Sequence, residues 1–301
     1  MVAFYALVSA LLYGSADFLG GAAARRAHVL SVLVISAAAG LLVVLAAAVV
    51  SGQRAGAVGL GWGLCAGAVG GTGLIVFYSG LAAGPMSVVA PISALVSTVL
   101  PVAVALAGGE RPGPAVYVGG GLCLAAIVLV SSGGSAAPGG GGSAAPRSSV
   151  SAGPGDQAAG ERGRGLAIAY GIMSGASFGI FFLFMRYGGE SGALWPVAAA
   201  RLAGLAVILI VAAAARKAPL SWRAGSVPFL TAVAAGVLDS SANVSYVLAT
   251  RQGLFGLAVV LVALYPGVTV LLARVLLGER LRWAQHAGLA IAAVGVALVT
   301  I

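Results

Sequence analysis

Three charged side chains of this sequence stand inside apolar runs, where a charge needs a reason. Asp239 sits near the middle of GVLDSSANVSYVLA. Read as a helix, that segment places Asn243 at i+4 and Tyr246 at i+7 on the same face as Asp239, which makes one polar stripe. An ionisable group at the centre of a bilayer costs about 2.5 to 3.5 kcal/mol on insertion scales. Such a stripe therefore marks either a substrate or proton site, or a hydrogen bond that locks two helices together. Asp17 is the second charge, with Ser15 beside it and Tyr13 at i−4 on its face. It lies nearer the end of its run and is followed by Arg25 and Arg26, so it is either a cavity aspartate or one paired with a cation in the wetter zone. Arg201 is the third, about two turns into its run and too deep for its stem to carry the charge easily to the headgroups. Its counter-charge is Asp239 or an anionic group on a substrate.

A second tier of residues shapes rather than reacts. Glu110 and Glu279 end apolar runs beside Arg111 and Arg280. They read as interfacial ion pairs, caps of the next helix, or gating contacts. Pro91, Pro101 and Pro266 interrupt runs, and each removes a helix hydrogen bond and frees a carbonyl that neighbours, water or a ligand must satisfy. Gly63, Gly67 and Gly71 recur every four residues, as do Gly171, Gly175 and Gly179, a spacing that lets helix backbones approach closely. Ser174 and Phe178 are cavity candidates on the aromatic run that also holds Phe181, Phe182 and Phe184. His28 and His286 are solitary near run ends, Arg274 is expected to snorkel, and Cys65 and Cys123 lie in apolar runs where a thiol acts as a small hydrophobe. No metal motif, catalytic triad, paired carboxylates or phosphate-binding loop is present, so no catalytic residue, metal or cofactor is expected.

The elements that must position these residues follow from composition. Of 301 residues, 60% are hydrophobic and 8% charged, against roughly 25% charged in an average soluble domain. Lipid is the main solvent. The net charge of +9 comes from basic residues scattered between apolar runs without a basic stripe, which speaks against nucleic acid as a partner. A spanning helix needs about 20 apolar residues. On that measure the spans fall at 2–22, 29–50, 58–82, 86–108, 114–132, 165–186, 193–215, 227–249, 253–277 and 283–301: about ten helices in an all-α, multi-pass membrane protein. Trp62, Trp195, Trp222 and Trp283 fall near run ends, where indole rings favour the headgroup level. The N-terminus lacks a basic n-region, so the first helix is expected to be retained. Residues 133–164, rich in Gly, Ser, Ala and Pro, are expected to be a flexible tether between two domains, 1–132 and 165–301.

The two domains repeat each other. Tyr246 follows Tyr78 by 168 residues and Glu279 follows Glu110 by 169, while Gly175 and Arg186 follow Gly14 and Arg25 by 161 each. Five spans per half place the second copy upside down, the inverted-repeat plan of many secondary transporters. With Gly109-Glu110-Arg111 and Gly278-Glu279-Arg280 closing the fourth and ninth spans, the sequence resembles the drug/metabolite transporter superfamily, EamA type. The resemblance implies a central cavity lined by the first, third, fourth, sixth, eighth and ninth spans, and transport of metabolites, amino acids, sugars or drugs, often as export. The expectations that go with this reading are a cell-membrane location, a small-molecule substrate, no enzymatic activity, protons as a possible coupling ion, and a monomer or homodimer. A lipid flippase, a passive channel and a non-transporting membrane partner remain open on the same plan. Lys and Arg counted over the loops favour both termini outside, whereas the resemblance implies both inside.

Overall fold

Long apolar runs become helices because lipid offers backbone N–H and C=O groups no partner, and a helix satisfies them within the run. The protein, represented by a computed structural model, is described over residues 1–83, 86–132, 154–214, 226–277 and 282–300. The helices are α1 (Val2–Ala24), α2 (Val29–Val50), α3 (Ala57–Ala83), α4 (Met86–Ala107), α5 (Pro114–Ser132), α6 (Pro154–Gly188), α7 (Leu194–Ala214), α8 (Val227–Thr250), α9 (Phe255–Val262), α10 (Tyr265–Leu277) and α11 (Trp283–Thr300). A 3-10 turn at Gly189–Ser191 links α6 to α7. With α9 and α10 counted as one span, eight of the described helices are long and apolar enough to cross a membrane, and α5 and α11 are shorter apolar helices beside them. The protein is a multi-pass, all-helical membrane protein.

Two expected boundaries change. The sixth helix begins at Pro154 rather than at 165, so the second part of the expected tether is helical; residues 133–153 lie outside the described residues. The ninth span is broken: α9 stops at Val262, Ala263 and Leu264 turn, and α10 restarts at Tyr265. Pro266 has no N–H for the Val262 carbonyl, and the chain closes the gap with a tighter bond from Leu264 N–H to the Leu261 carbonyl, 3.3 Å. Pro91 and Pro101 leave α4 a single helix.

Packing shows the repeat more clearly than sequence does. The helix α1 lies along α8, and α3 along α6; α2 packs on α8, and α7 on α3; α1 meets α10, and α6 meets α4. Each of these pairs maps onto its mate when α1 to α5 are superposed in order on α6, α7, α8, α9–α10 and α11. The contacts α2 with α7 and α5 with α11 map onto themselves. The result is two bundles related by a pseudo-two-fold axis: α1, α2, α8 and α9–α10 in one, α3, α4, α6 and α7 in the other.

Glycine ladders build the seams within each bundle. A Cβ on Gly63 or Gly67 would run into the carbonyls of Pro196 and Ala200 on α7, and one on Gly175 would stand 2.6 Å from the Ser93 carbonyl oxygen of α4. Gly14, the counterpart of Gly175, meets the Tyr265 carbonyl and Val268 of α10 in the same way. Hydroxyls add fixings inside the bundles: Ser9 donates to the Ala242 carbonyl at 2.8 Å, joining α1 to α8, and Thr269 to the Gly14 carbonyl at 3.1 Å, joining α10 to α1.

Chain direction assigns the two ends. The starts of α1, α3, α7 and α9 lie at one end with the finishes of α2, α4, α6, α8 and α11, so both termini are at that end. The largest buried apolar cluster among the described residues belongs to this terminal end, with Ala6, Ala105, Met185, Val197, Tyr246, Val247, Phe255 and Leu261 among its members. The cluster nearer the opposite end, built on Ala23, Val32, Ile35 and Ala232, is much smaller.

Candidate functional site

Arg201 of α7 and Asp239 of α8 form an ion pair between the two bundles. The pair is not sealed: the Arg201 side chain is 18% exposed and that of Asp239 33%. Asn243, one turn along α8, is buried and turns its amide nitrogen back to the Asp239 backbone carbonyl at 2.8 Å. Its carbonyl oxygen has no hydrogen-bond partner among the described residues, and neither does the Tyr13 hydroxyl.

Asp17 lies on α1, about a turn from Asp239 toward the opposite end. Its side chain is exposed although it is surrounded by protein, within Coulombic range of Asp239 on α8, Tyr78 on α3 and Tyr265 on α10. The helices α1 and α3 belong to different bundles, so Asp17 and Tyr78 are in electrostatic range of each other across the bundle interface. Tyr13 stands one turn from Asp17 toward the terminal end, its ring 6.0 Å from that of Tyr265 and 6.5 Å from that of Phe182. Ser15 is half-buried on the same helix.

On the terminal side of these residues the contacts are aromatic. Tyr246 is fully buried, donates its hydroxyl to the Phe182 carbonyl at 2.7 Å and places its ring 4.8 Å from that of Phe182. It thus belongs to the same α8 stripe as Asp239 but ties α8 to α6, across the bundles, on the terminal side. Ser174 sits elsewhere. It is buried in the seam between α6 and α4, with its Oγ 3.0 Å from that of Ser93 and bonded to the Tyr170 carbonyl at 2.7 Å. Phe178 packs edge-on to Phe77 of α3 at 6.2 Å. Two smaller expectations also change: His286 and Arg274 are partners at 3.2 Å, joining α11 to α10.

Gly109-Glu110 proves to be a helix stop with a second task. Gly109 adopts φ +92°, and the bonds Gly109 N–H to Leu106 carbonyl, 3.1 Å, and Glu110 N–H to Ala105 carbonyl, 3.0 Å, form a Schellman ending. That turn carries Glu110 out of α4 and over to the start of α9. There one carboxylate oxygen accepts from Phe255 N–H at 2.8 Å and the other from Gly256 N–H at 3.0 Å. Arg186, from the end of α6, stands 3.7 Å from the same carboxylate and lies over the Phe255 ring, 4.3 Å from its centre. The sequence pointed to Arg111 as ion partner and the next helix as the one capped; the partner is Arg186 and the capped helix is α9. A carboxylate at a helix N-terminus meets unpaired N–H groups and the positive end of the helix dipole, which is why the distant α9 wins. Gly278, Glu279 and Arg280 lie outside the described residues.

Replacing Glu110 with Ala strands two N–H groups and is expected to destabilise the detergent-solubilised protein by about 1 to 2 kcal/mol, the usual cost of a lost cap. Glu110→Gln, which keeps an acceptor, should lose less. Thermal melts of the two variants check this, and equal melting of Ala and wild type would show that the cap carries no stability.

A model of the EamA-like transporter family matches residues 1–132 and 165–301. The chain belongs to that family. Both halves of this EamA-like protein are matched, which agrees with the packing repeat. A solved structure titled "Crystal structure of protein" superposes with a TM-score of 0.73 at 18% identity, over 99% of this chain and 96% of that one, a likeness that shows the fold. No curated protein matches the sequence. Members of the family are transporters, so this EamA-like chain is a membrane transporter embedded in the bilayer and handling small molecules.

Proposed function

We propose that this EamA-like protein is a secondary active transporter of the cell membrane that exports a small organic solute, a metabolite, amino acid or drug, by alternating access. Substrate sits between the bundles at the level of Asp17, Tyr13, Arg201 and Asp239. The observation that carries the reading is the Arg201–Asp239 pair, which spans the bundle interface with both side chains partly exposed instead of lying within one bundle.

The division of contacts supports a rocking motion. Bonds within a bundle are short hydroxyl and glycine contacts that survive rigid-body movement. Apart from the Arg201–Asp239 pair, bonds between bundles lie at the terminal end: Tyr246 to Phe182, Glu110 to the start of α9, and Arg186 against Phe255. Opening that end requires breaking these few contacts and leaves each bundle whole. Asp239 exchanges Arg201 for substrate or a proton during the cycle, Asn243 holds the Asp239 turn, and the break at Pro266 gives α9 and α10 freedom to move separately.

In proteoliposomes, Asp239→Asn is expected to reduce counterflow of a transported solute at least tenfold, with and without a pH gradient. The solute is found first by screening labelled amino acids, sugars and cationic drugs. Undiminished transport by the variant in both conditions removes Asp239 from the mechanism.

A further inference from the structure

The carboxylate left unbalanced in the middle of the bundle is Asp17. Arg201 and Asp239 neutralise each other. Among the described residues Asp17 makes no ion pair and no hydrogen bond, and the charged group in its electrostatic range is another acid, Asp239. The sequence-based alternative, pairing with the cations that follow on α1, places no arginine beside it among those electrostatic neighbours.

The surroundings of Asp17 share one chemistry. Tyr13, Tyr78 and Tyr265 bring aromatic side chains near it from α1, α3 and α10, the phenol groups of the last two within electrostatic range. Ring faces attract cations. Two buried polar atoms on flanking turns lack partners among the described residues and can accept: the Tyr13 hydroxyl, one turn from Asp17 on α1, and the Asn243 carbonyl oxygen, one turn beyond Asp239 on α8 in a residue that is 3% exposed. A buried acceptor without a donor is costly, and this region carries two carboxylates, Asp17 and Asp239, against the one arginine of the ion pair, so a group that brings N–H donors and positive charge together completes it. One ligand group supplies both, a protonated amine.

The charge is also one-sided. The repeat places Phe178 where α1 has Asp17, and Gly71 where α8 has Asp239. The α3–α6 side therefore offers Phe77 and Phe178, rings 6.2 Å apart, to whatever the α1–α8 side holds by charge.

Resting on the transporter reading, we propose that Asp17 is the substrate-recognising carboxylate and that the substrate is a monovalent organic ammonium bearing N–H donors and an apolar, preferably aromatic, body. The ammonium docks at Asp17 and Tyr13, and the body lies toward Phe77 and Phe178.

The test reads binding rather than transport, so its failure is separable from failure of the transporter reading, which the counterflow experiment decides. Purified full-length protein is titrated with radiolabelled phenethylamine by scintillation proximity. Phenylacetate and trimethyl(phenethyl)ammonium are the competitors that alter the charge or remove the N–H groups. Phenethylamine should bind, phenylacetate should not compete, and the quaternary ammonium should compete at least several-fold more weakly. Asp17→Asn should weaken phenethylamine at least tenfold without a large change in melting temperature, because Asp17 has no partner to lose, and Asp17→Glu should retain binding. Unchanged affinity in Asp17→Asn, binding of phenylacetate in preference to phenethylamine, or no binding of phenethylamine by wild type overturns the proposal.

Discussion

Arg201→Met is expected to destabilise the protein, because it takes one partner from the Arg201–Asp239 ion pair. Taking one partner from a buried ion pair leaves the other charge without compensation, at a cost of about 3 to 5 kcal/mol when both are sealed. Here Asp239 is 33% exposed, so water offsets part of that, and about 2 to 3 kcal/mol is the expected loss. Neutralising both groups removes the cause. The double variant Arg201→Met/Asp239→Asn should return to within about 1 kcal/mol of wild-type stability, since a neutral pair of similar volume is often no worse than a buried ion pair. Melting of the four proteins in one detergent forms a double-mutant cycle that isolates the pair. The double variant should still fail in counterflow, which separates what the pair does for folding from what Asp239 does for transport. A single Arg201→Met variant that melts like wild type would show that water already screens Asp239 and that the pair is not a structural element.

How far the sequence alone reached depends on how local each signal was. Spans, the repeat and the glycine ladders are local patterns, and Gly67 and Gly175 meet backbone as their four-residue spacing suggested. The Arg201–Asp239 pair was legible because two charges stranded at depth have few places to go. Contacts fixed by which helices become neighbours were not legible. Ser174 reads like a cavity residue until its partner Ser93, 81 positions away, is known. Tyr246 shares the helical face of Asp239, but 2.7 Å from the Phe182 carbonyl it belongs to the seal. Glu110 stood beside Arg111 in sequence, yet its bonds run to Phe255 and Gly256, 145 and 146 residues on. A signal was available there. Glycine just past a helix end is the signature of a Schellman stop, and a polar rather than apolar residue after it lacks the apolar contact that would fold it back onto its own helix. The split of the ninth span was half legible, because Pro266 marks a break but Pro91 and Pro101, which leave α4 unbroken, carry the same mark.

Gly236→Ala should be the most damaging loss of a single hydrogen in the protein. A Cβ there would run into the carbonyl group of Ser36 on α2, 2.7 Å from the Ser36 Cα. Backbone cannot rotate aside as a side-chain tip can. Across the same contact a Cβ on Gly40 would meet the Ser240 Oγ and the Gly236 carbonyl oxygen, the latter at 2.7 Å. The two glycines thus face each other, and α2 and α8 must separate to admit even one methyl group. Overpacking a core that can shift costs about 1 to 3 kcal/mol; with backbone on both sides, the upper end or beyond is expected. Gly120→Ala is the matched comparison, because nothing stands within 4 Å of a Cβ at that α5 position, and helix propensity alone favours alanine there by up to about 1 kcal/mol. Gly236→Ala should therefore lose its monodisperse size-exclusion peak or melt many degrees lower, while Gly120→Ala melts at or above wild type. The consequence reaches the site, because Gly236 lies one turn before Asp239 on α8 and the α2 contact sets how close that carboxylate comes to Arg201. Equal melting of the two alanine variants would mean that the α2–α8 approach is looser than the backbone contact requires, and that Asp239 is positioned by its ion pair alone.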